Sequence, residues 1–395
     1  KLFQKLLLAP AALGLFAPIA ANANESNFRD VTSYTQDQVQ VSLDTFKPLS
    51  SKNPLLAGGE GSVSSQSESF DVDTFSATTT AAFTTNFAIG KQEGGSTDPV
   101  VANFDYEVAL SSSFTGNDSL DVVMKAGKSK GYTELDMRDD LALKATGISY
   151  TVPLGDRLTT SVGFGDDADG SSLYNTACVY GAQADTFTNC GVSAANIDED
   201  LGLALGASFD LGNGFTAALA YEGQGSNLSG FVSKESTDAI GGQLAYTGDS
   251  FGLSLSWANI ENHSATNVIT TGSGDGQTQS LGFNAYYTPE LPNFPSISAG
   301  FETNHDDSVS GTTSDQTSHY FVGVQWDEVL DGTLGAAIGS KEPYNENADA
   351  LTMYEVFYAY EYADGITITP IIYSKDNSGS TADETGVIVK STFSF

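Results

Sequence analysis

Along most of this chain, apolar side chains fall at every second position. Phe251, Leu253, Leu255 and Trp257 alternate with Gly252, Ser254, Ser256 and Ala258. Phe104, Tyr106, Val108 and Leu110 alternate with Asp105, Glu107 and Ala109, and the stretches over 201–211, 215–222 and 354–362 behave alike. A period of two is that of a strand with two unlike faces. From residue 74 onward the unit recurs as about ten alternating residues followed by a turn, the sequence signature of a membrane β-barrel.

The second face carries Gly, Ala, Ser, Thr and acids. A soluble sandwich would present more Lys and Glu there, whereas a water-lined barrel interior needs small and polar groups. The connections alternate in length. Short turns are expected at 115–119, 153–157, 212–214, 247–250, 288–295, 327–332 and 363–365. Longer polar loops are expected at 91–100, 132–140, 166–200, 224–237, 261–276, 304–316, 341–350 and 375–384. Seven short and eight long connections imply an all-β fold, a transmembrane antiparallel barrel of about 16 strands. Two strands fit less well. Leu141 and Leu143 are out of phase with Ile148, Tyr150 and Val152, and Pro370 interrupts the fifteenth segment, so a bulge is expected at either place.

The two ends add to this picture. Lys1 and Lys5 precede an apolar run from Leu6 to Ile19, and Ala21-Asn22-Ala23 reads as a cleavage site. Residues 1–23 are therefore expected to be a signal peptide. That run is shorter than the roughly 20 residues of a spanning helix. Residues 24–73 are polar and aperiodic and are expected to be a periplasmic extension, leaving 74–395 as the barrel. At the other end, Val387, Val389, Phe393 and Phe395 share one face of a strand. Such an ending resembles the assembly signal read by the barrel-assembly machinery.

Composition excludes several classes. The chain has 395 residues, a net charge of −34 and only 17% charged residues. Nucleic-acid binding requires clustered Lys and Arg and is excluded. The aromatic content of 11% argues against disorder. Tyr221, Tyr246, Trp257, Tyr287, Trp326, Tyr360 and Tyr362 near strand ends suit interfacial girdles around outer-membrane lipid.

The candidate chemistry is that of a channel. Cys178 and Cys190 are the only cysteines and lie in the longest loop. Export favours a disulfide between them over a metal pair or a redox dithiol. Asp166, Asp167, Asp169 and Asp185 in the same loop read either as a cation-attracting ring or as ordinary solvated loop acids. On the expected lumen face stand Asp105, Glu107, Asp121, Asp210, Glu222, Glu302, Glu355 and Glu361, with Lys125, Lys375 and Lys390 opposing them. A second basic group is Lys128, Lys130, Arg138 and Lys144. His263, His305 and His319 form no catalytic constellation, so neither an enzyme nor a cofactor or metal site is expected.

The leader KLFQKLLLAPAALGLFAPIAANA, the stretch KNPLLAGGEG, the acidic Gly-rich barrel and the terminal Phe together resemble the outer-membrane porins of cyanobacteria. That group is similar to the carbohydrate-selective (OprB-like) porins, and some members are called iron-uptake porins. The resemblance implies an outer-membrane homotrimer passing small hydrophilic solutes and inorganic ions. Many relatives also carry a surface-layer-homology domain, for which residues 24–73 are too short. The competing readings are a secreted β-rich surface or adhesion protein and a barrel enzyme.

Overall fold

The alternating segments close on one another. The computed structural model describes residues 79–94, 99–132, 134–197, 202–224, 237–263, 275–291, 293–306, 315–340, 344–345, 350–377 and 382–395. The expected leader and extension over 1–73 lie outside the described residues. The strands are β1 (Thr79–Glu93), β2 (Val100–Ser112), β3 (Ser119–Lys128), β4 (Lys144–Leu154), β5 (Leu158–Phe164), β6 (Leu203–Gly212), β7 (Phe215–Gly223), β8 (Asp238–Thr247) and β9 (Phe251–His263). They continue with β10 (Asp275–Tyr287), β11 (Ser296–Asp306), β12 (Asp315–Trp326), β13 (Gly332–Ser340), β14 (Tyr344–Asn345), β15 (Thr352–Ala363), β16 (Ile366–Lys375) and β17 (Glu384–Ser394).

The two-residue β14 only extends the pairing of β12 beyond β13. The other sixteen strands form one antiparallel meander whose last strand, β17, pairs with β1. Closure matters because an open sheet edge inside a bilayer would leave backbone groups with no partner.

Residues paired across antiparallel strands share a face, so the register assigns inside and outside. Phe87, Ile89, Phe104, Leu205, Leu219, Leu244, Leu255, Phe283, Phe301, Val322, Val356 and Ile372 all point outward and are exposed. Each such side chain is stabilised by roughly 1.5–3 kcal/mol when it leaves water for an apolar medium, so the register sets an apolar belt on the outside of the barrel. Aromatic rings gather where the strands meet the short turns. Phe215 lies 4.8 Å from Tyr246, which lies 5.4 Å from Phe251. Tyr362 stands out at 65% exposure.

The irregular places have local causes. At β4 the register slips, with Val123 opposite Gly147 and Met124 opposite Ala145. Thr146 is thus the extra residue of a bulge, and Leu141 and Leu143 precede the strand. On β16 the ladder to β15 is intact at Phe357↔Ile371 and resumes at Tyr360↔Ile368. Pro370, lying between, has no N–H to give; the register is the same on both sides of it, so the bulge expected there is absent, and the shift in this pair falls between Glu361 and Ala363 instead.

The seam is pinned by aromatics. Phe395 stacks on Phe83 with centroids 5.3 Å apart, and the two exchange backbone hydrogen bonds of 3.0 and 2.8 Å. Phe393 meets Phe87 edge-on at 5.9 Å. Replacing Phe395 by alanine should therefore lower the amount of closed barrel while leaving synthesis unchanged. The check is the fraction of heat-modifiable protein in mild detergent. An unchanged fraction would show that the stack does not help closure.

Candidate functional site

An extended chain folded inside a barrel carries backbone donors that must find acceptors. The connection between β5 and β6, residues 165–202, is such a chain. It enters the barrel and walks along the inner wall. Glu222 on β7 accepts the Gly170 N–H at 2.8 Å, and Gln243 on β8 accepts that of Asn175 at 2.6 Å. Ser254 on β9 and Ser298 on β11 accept the N–H groups of Ala177 and Val179 at 3.0 and 3.1 Å. Gln325 on β12 takes the Gly181 N–H at 2.9 Å. Glu355 on β15 takes the Tyr180 hydroxyl at 2.9 Å and the N–H groups of Gln183 and Ala184 at 3.1 and 2.5 Å.

The chain then doubles back. Asn284 on β10 donates to the Asn189 carbonyl at 2.9 Å. Glu302 on β11 accepts the Ser193 hydroxyl and the Ala194 N–H, both at 2.7 Å. The return is tied by the disulfide Cys178–Cys190, with Cα atoms 5.9 Å apart. Asn189, Cys190 and Gly191 all adopt left-handed φ angles of 51°, 54° and 66°. At Asn189 and Cys190, which are not glycine, this backbone is costly and persists only where the surroundings hold it. Here the bond and the wall do so.

Small wall residues make the seat. A Cβ on Gly300 would lie 2.0 Å from the Cys190 carbonyl oxygen, and one on Gly282 would lie 2.2 Å from Val192. Apolar side chains of the loop fill the remainder. Phe187 is fully buried, 5.0 Å from Phe321, and Tyr180 lies between Phe321 and Phe357 at 5.3 and 5.7 Å. Val192 and Ile197 pack on Ala220, Ala239 and Ala258.

The β3–β4 connection, residues 129–143, also turns inward. Its Tyr132 hydroxyl donates to the Val101 carbonyl at 2.6 Å. Its Glu134 is buried and meets Lys375 of β16 at 2.7 Å, while Lys375 also meets Glu384 at 3.0 Å. The Glu134 carbonyl and carboxylate accept the N–H groups of Asp185 and Thr186 at 3.1 and 3.3 Å. One buried acid thus ties the two loops together.

Between these loops and the wall of β1 and β17 lies a cavity of about 280 Å³, lined by Asn86, Leu135, Asp136, Gln183, Asp185 and Lys390 among others. Burial, and then the neighbouring Asp136 and Glu134, push the Asp185 carboxyl above the usual carboxylate range. Burial does the same to Asp169, which turns into the loop to accept the Ser171 N–H and hydroxyl.

The residues singled out from sequence divide into several groups. Asp105 accepts from Asn86 at 2.8 Å on the lumen wall. Lys125 joins Asp167 at 2.5 Å and Glu107 at 3.6 Å, and Arg138 meets Asp166 at 3.6 Å. Asp121 and Glu361 share the inward face nearer the short turns, Asp121 binding Ser119. Glu222, Glu302 and Glu355 also face inward, but they are at most 1% exposed beneath the loop they hold. They do not line open water, contrary to expectation. Lys128 pairs with outward Phe104 and so lies on the outer face, not in the lumen. Lys144 is an exposed partner of Asp140.

Sequence reasoning did not single out Glu134, Asp136, Tyr180, Gln243 or Gln325. Their only signal was a polar group on the inward parity or within a loop, which many other residues share.

No protein-family model matches this chain, and no curated protein sequence does. Solved structures do match its fold. One is OprB of Pseudomonas putida at high pH, with a TM-score of 0.56 and 12% identity over 80% of this chain and 94% of that one. A loop-deletion mutant of OmpT from Vibrio cholerae gives 0.55 and 11% over 80% and 100%. OmpF of Salmonella typhi, complexed with daunomycin, gives 0.54 and 12% over 80% and 97%.

Proposed function

We propose that this protein is an outer-membrane porin through which small hydrophilic solutes and inorganic ions diffuse passively, cations being favoured. The observation that carries the reading is the pinned inward loop. It crosses the inside of a closed barrel and puts Asp136, Asp185 and Lys390 beside the cavity that the described residues leave. Such a device sorts solutes by size and field, and no bond is made or broken. The apolar belt and turn-end aromatics support a place in the outer membrane, where lipid covers them. A secreted adhesin would expose the same belt to water, a liability for any soluble protein. Export by a cleaved leader, help from the barrel-assembly machinery and a homotrimeric state belong to the same proposal. So does passage of sugars, which the resemblance to carbohydrate-selective porins suggests.

The test is a planar bilayer in KCl. The purified, folded protein should give discrete, long-lived conductance steps. Folded protein that gives none would overturn the reading.

A further inference from the structure

We propose that the short turn between β12 and β13, residues 327–331, is a docking surface for a basic amphipathic polypeptide segment, one whose apolar stripe is flanked by Lys and Arg. This rests on the porin reading, which puts the short turns in the periplasm.

The turn presents a leucine where a leucine is unfavourable. Leu330 is 84% exposed. Glu328, Leu330 and Asp331 have φ angles of 58°, 49° and 62°, a left-handed region that a leucine rarely adopts. Other short turns put Gly155, Asn213, Asn293 and Gly365 at such positions. Here the surroundings hold the shape. The Val329 N–H donates to the Gly332 carbonyl at 2.8 Å, and the Gly332 N–H returns to the Val329 carbonyl at 3.1 Å. From β15, the Tyr358 hydroxyl reaches the carbonyls of Val329 and Leu330 at 2.8 and 2.7 Å. Asp327 accepts the Gln325 amide at 3.0 Å and the Thr333 hydroxyl at 3.4 Å. The backbone is fixed while the Leu330 side chain projects into solvent, so an anchor is ordered before any partner arrives.

The neighbouring turns extend the patch. The β10–β11 turn carries Leu291 and Phe294, 61% and 51% exposed. It is the next turn along the rim, two strand spacings or about 10 Å away. The β15–β16 turn is next on the other side. Residues 288–295, 327–332 and 361–365 contain no Lys or Arg, and Glu290, Glu328, Asp331, Glu361 and Asp364 among them are exposed.

Charge selects the occupant. Lipid phosphates, or a second copy of this chain at −34, would meet these acids with like charge. A polysaccharide brings neither positive charge nor an apolar stripe. A basic amphipathic segment brings both. Its stripe covers Leu330, Leu291 and Phe294 while its cations face the acids around them, the apolar centre and polar rim of a protein interface.

The experiment uses the full barrel in phosphatidylcholine nanodiscs. The probe is a fluorescent helical peptide of Leu and Lys, about four turns long, with Glu replacing Lys in the control peptide. Binding is read by anisotropy against empty nanodiscs. The Lys peptide should bind and the Glu peptide should not. Leu330→Asn suits the left-handed backbone and removes only the apolar side chain. It should raise Kd about tenfold, the low end for burying one leucine. The double variant Glu328→Gln, Asp331→Asn should raise Kd about fivefold and flatten its salt dependence. It also covers the case in which Leu330→Asn fails to fold. Equal binding of the two peptides would overturn the docking surface. So would an unchanged Kd in either folded variant, which would put the peptide in the lumen or the lipid. Conductance of the same preparation in KCl separates the two readings. Steps without peptide binding sink the docking surface alone, and absent steps sink the porin reading.

Discussion

Replacing Glu355 by alanine is expected to free the inserted loop and raise single-channel conductance more than any other single wall substitution. Three donors converge on this one carboxylate: the Tyr180 hydroxyl and the N–H groups of Gln183 and Ala184. A buried donor left without an acceptor costs roughly 1–3 kcal/mol. The loop has an alternative to bearing that cost three times over. Lifting off the wall rehydrates the donors, at the expense of the contacts of Tyr180 with Phe321 and Phe357. The disulfide confines the movement to residues between its ends and those next to them. The expected result is a larger and noisier conductance with an unchanged yield of folded barrel. Glu355→Gln should be intermediate, since one oxygen still accepts while the amide nitrogen opposes the remaining donors. If both variants conduct like the natural protein, Glu355 is not what holds the constriction.

The channel should prefer cations at neutral pH and lose part of that preference on acidification. At the constriction Asp105, Asp136 and Asp185 have no ion-pair partner among the described residues, against Lys390 alone, and the whole chain carries −34. Acids along a narrow, partly desolvated passage lower the free energy of a cation and raise that of an anion. The pH dependence follows from Asp185, whose carboxyl is held above the ordinary range by burial and then by Asp136 and Glu134. A raised carboxyl pKa means that the negative charge is present only above it. As pH falls, this charge is lost earlier than that of an unperturbed aspartate. Reversal potentials across a KCl gradient, taken from about pH 8 to about pH 4, span that loss. The cation preference should decline within this range in the natural protein and much less in Asp185→Asn. High salt should weaken the whole effect by screening. An anion-selective sign at neutral pH would mean that Lys390 and Arg138 outweigh the acids.

Several features were legible from the residues alone, because each depends on local periodicity or on residue type. The alternation of Phe251, Leu253, Leu255 and Trp257 with Gly252, Ser254, Ser256 and Ala258 was enough to give strands with one apolar outer face. The spacing of turns was enough to count them. Two cysteines in one loop were enough to expect the bond that Cys178 and Cys190 form. Even the slip near Leu141 and Leu143 showed in the pattern, and it became a bulge at Thr146.

The meaning of the inward face was decided only by tertiary structure. The small residues Gly282 and Gly300 looked like a water-lined wall and are instead the seat of a loop. Glu222, Glu302 and Glu355 were expected on an open lumen face and are instead buried acceptors. A period-two pattern states which face a side chain is on, not what covers that face. Glu355 meets Tyr180 across 175 positions of chain, and Lys375 meets Glu134 across 241. Contacts at such separations arise from closure of the barrel around its own loops, and closure leaves no local trace in the residues that make them.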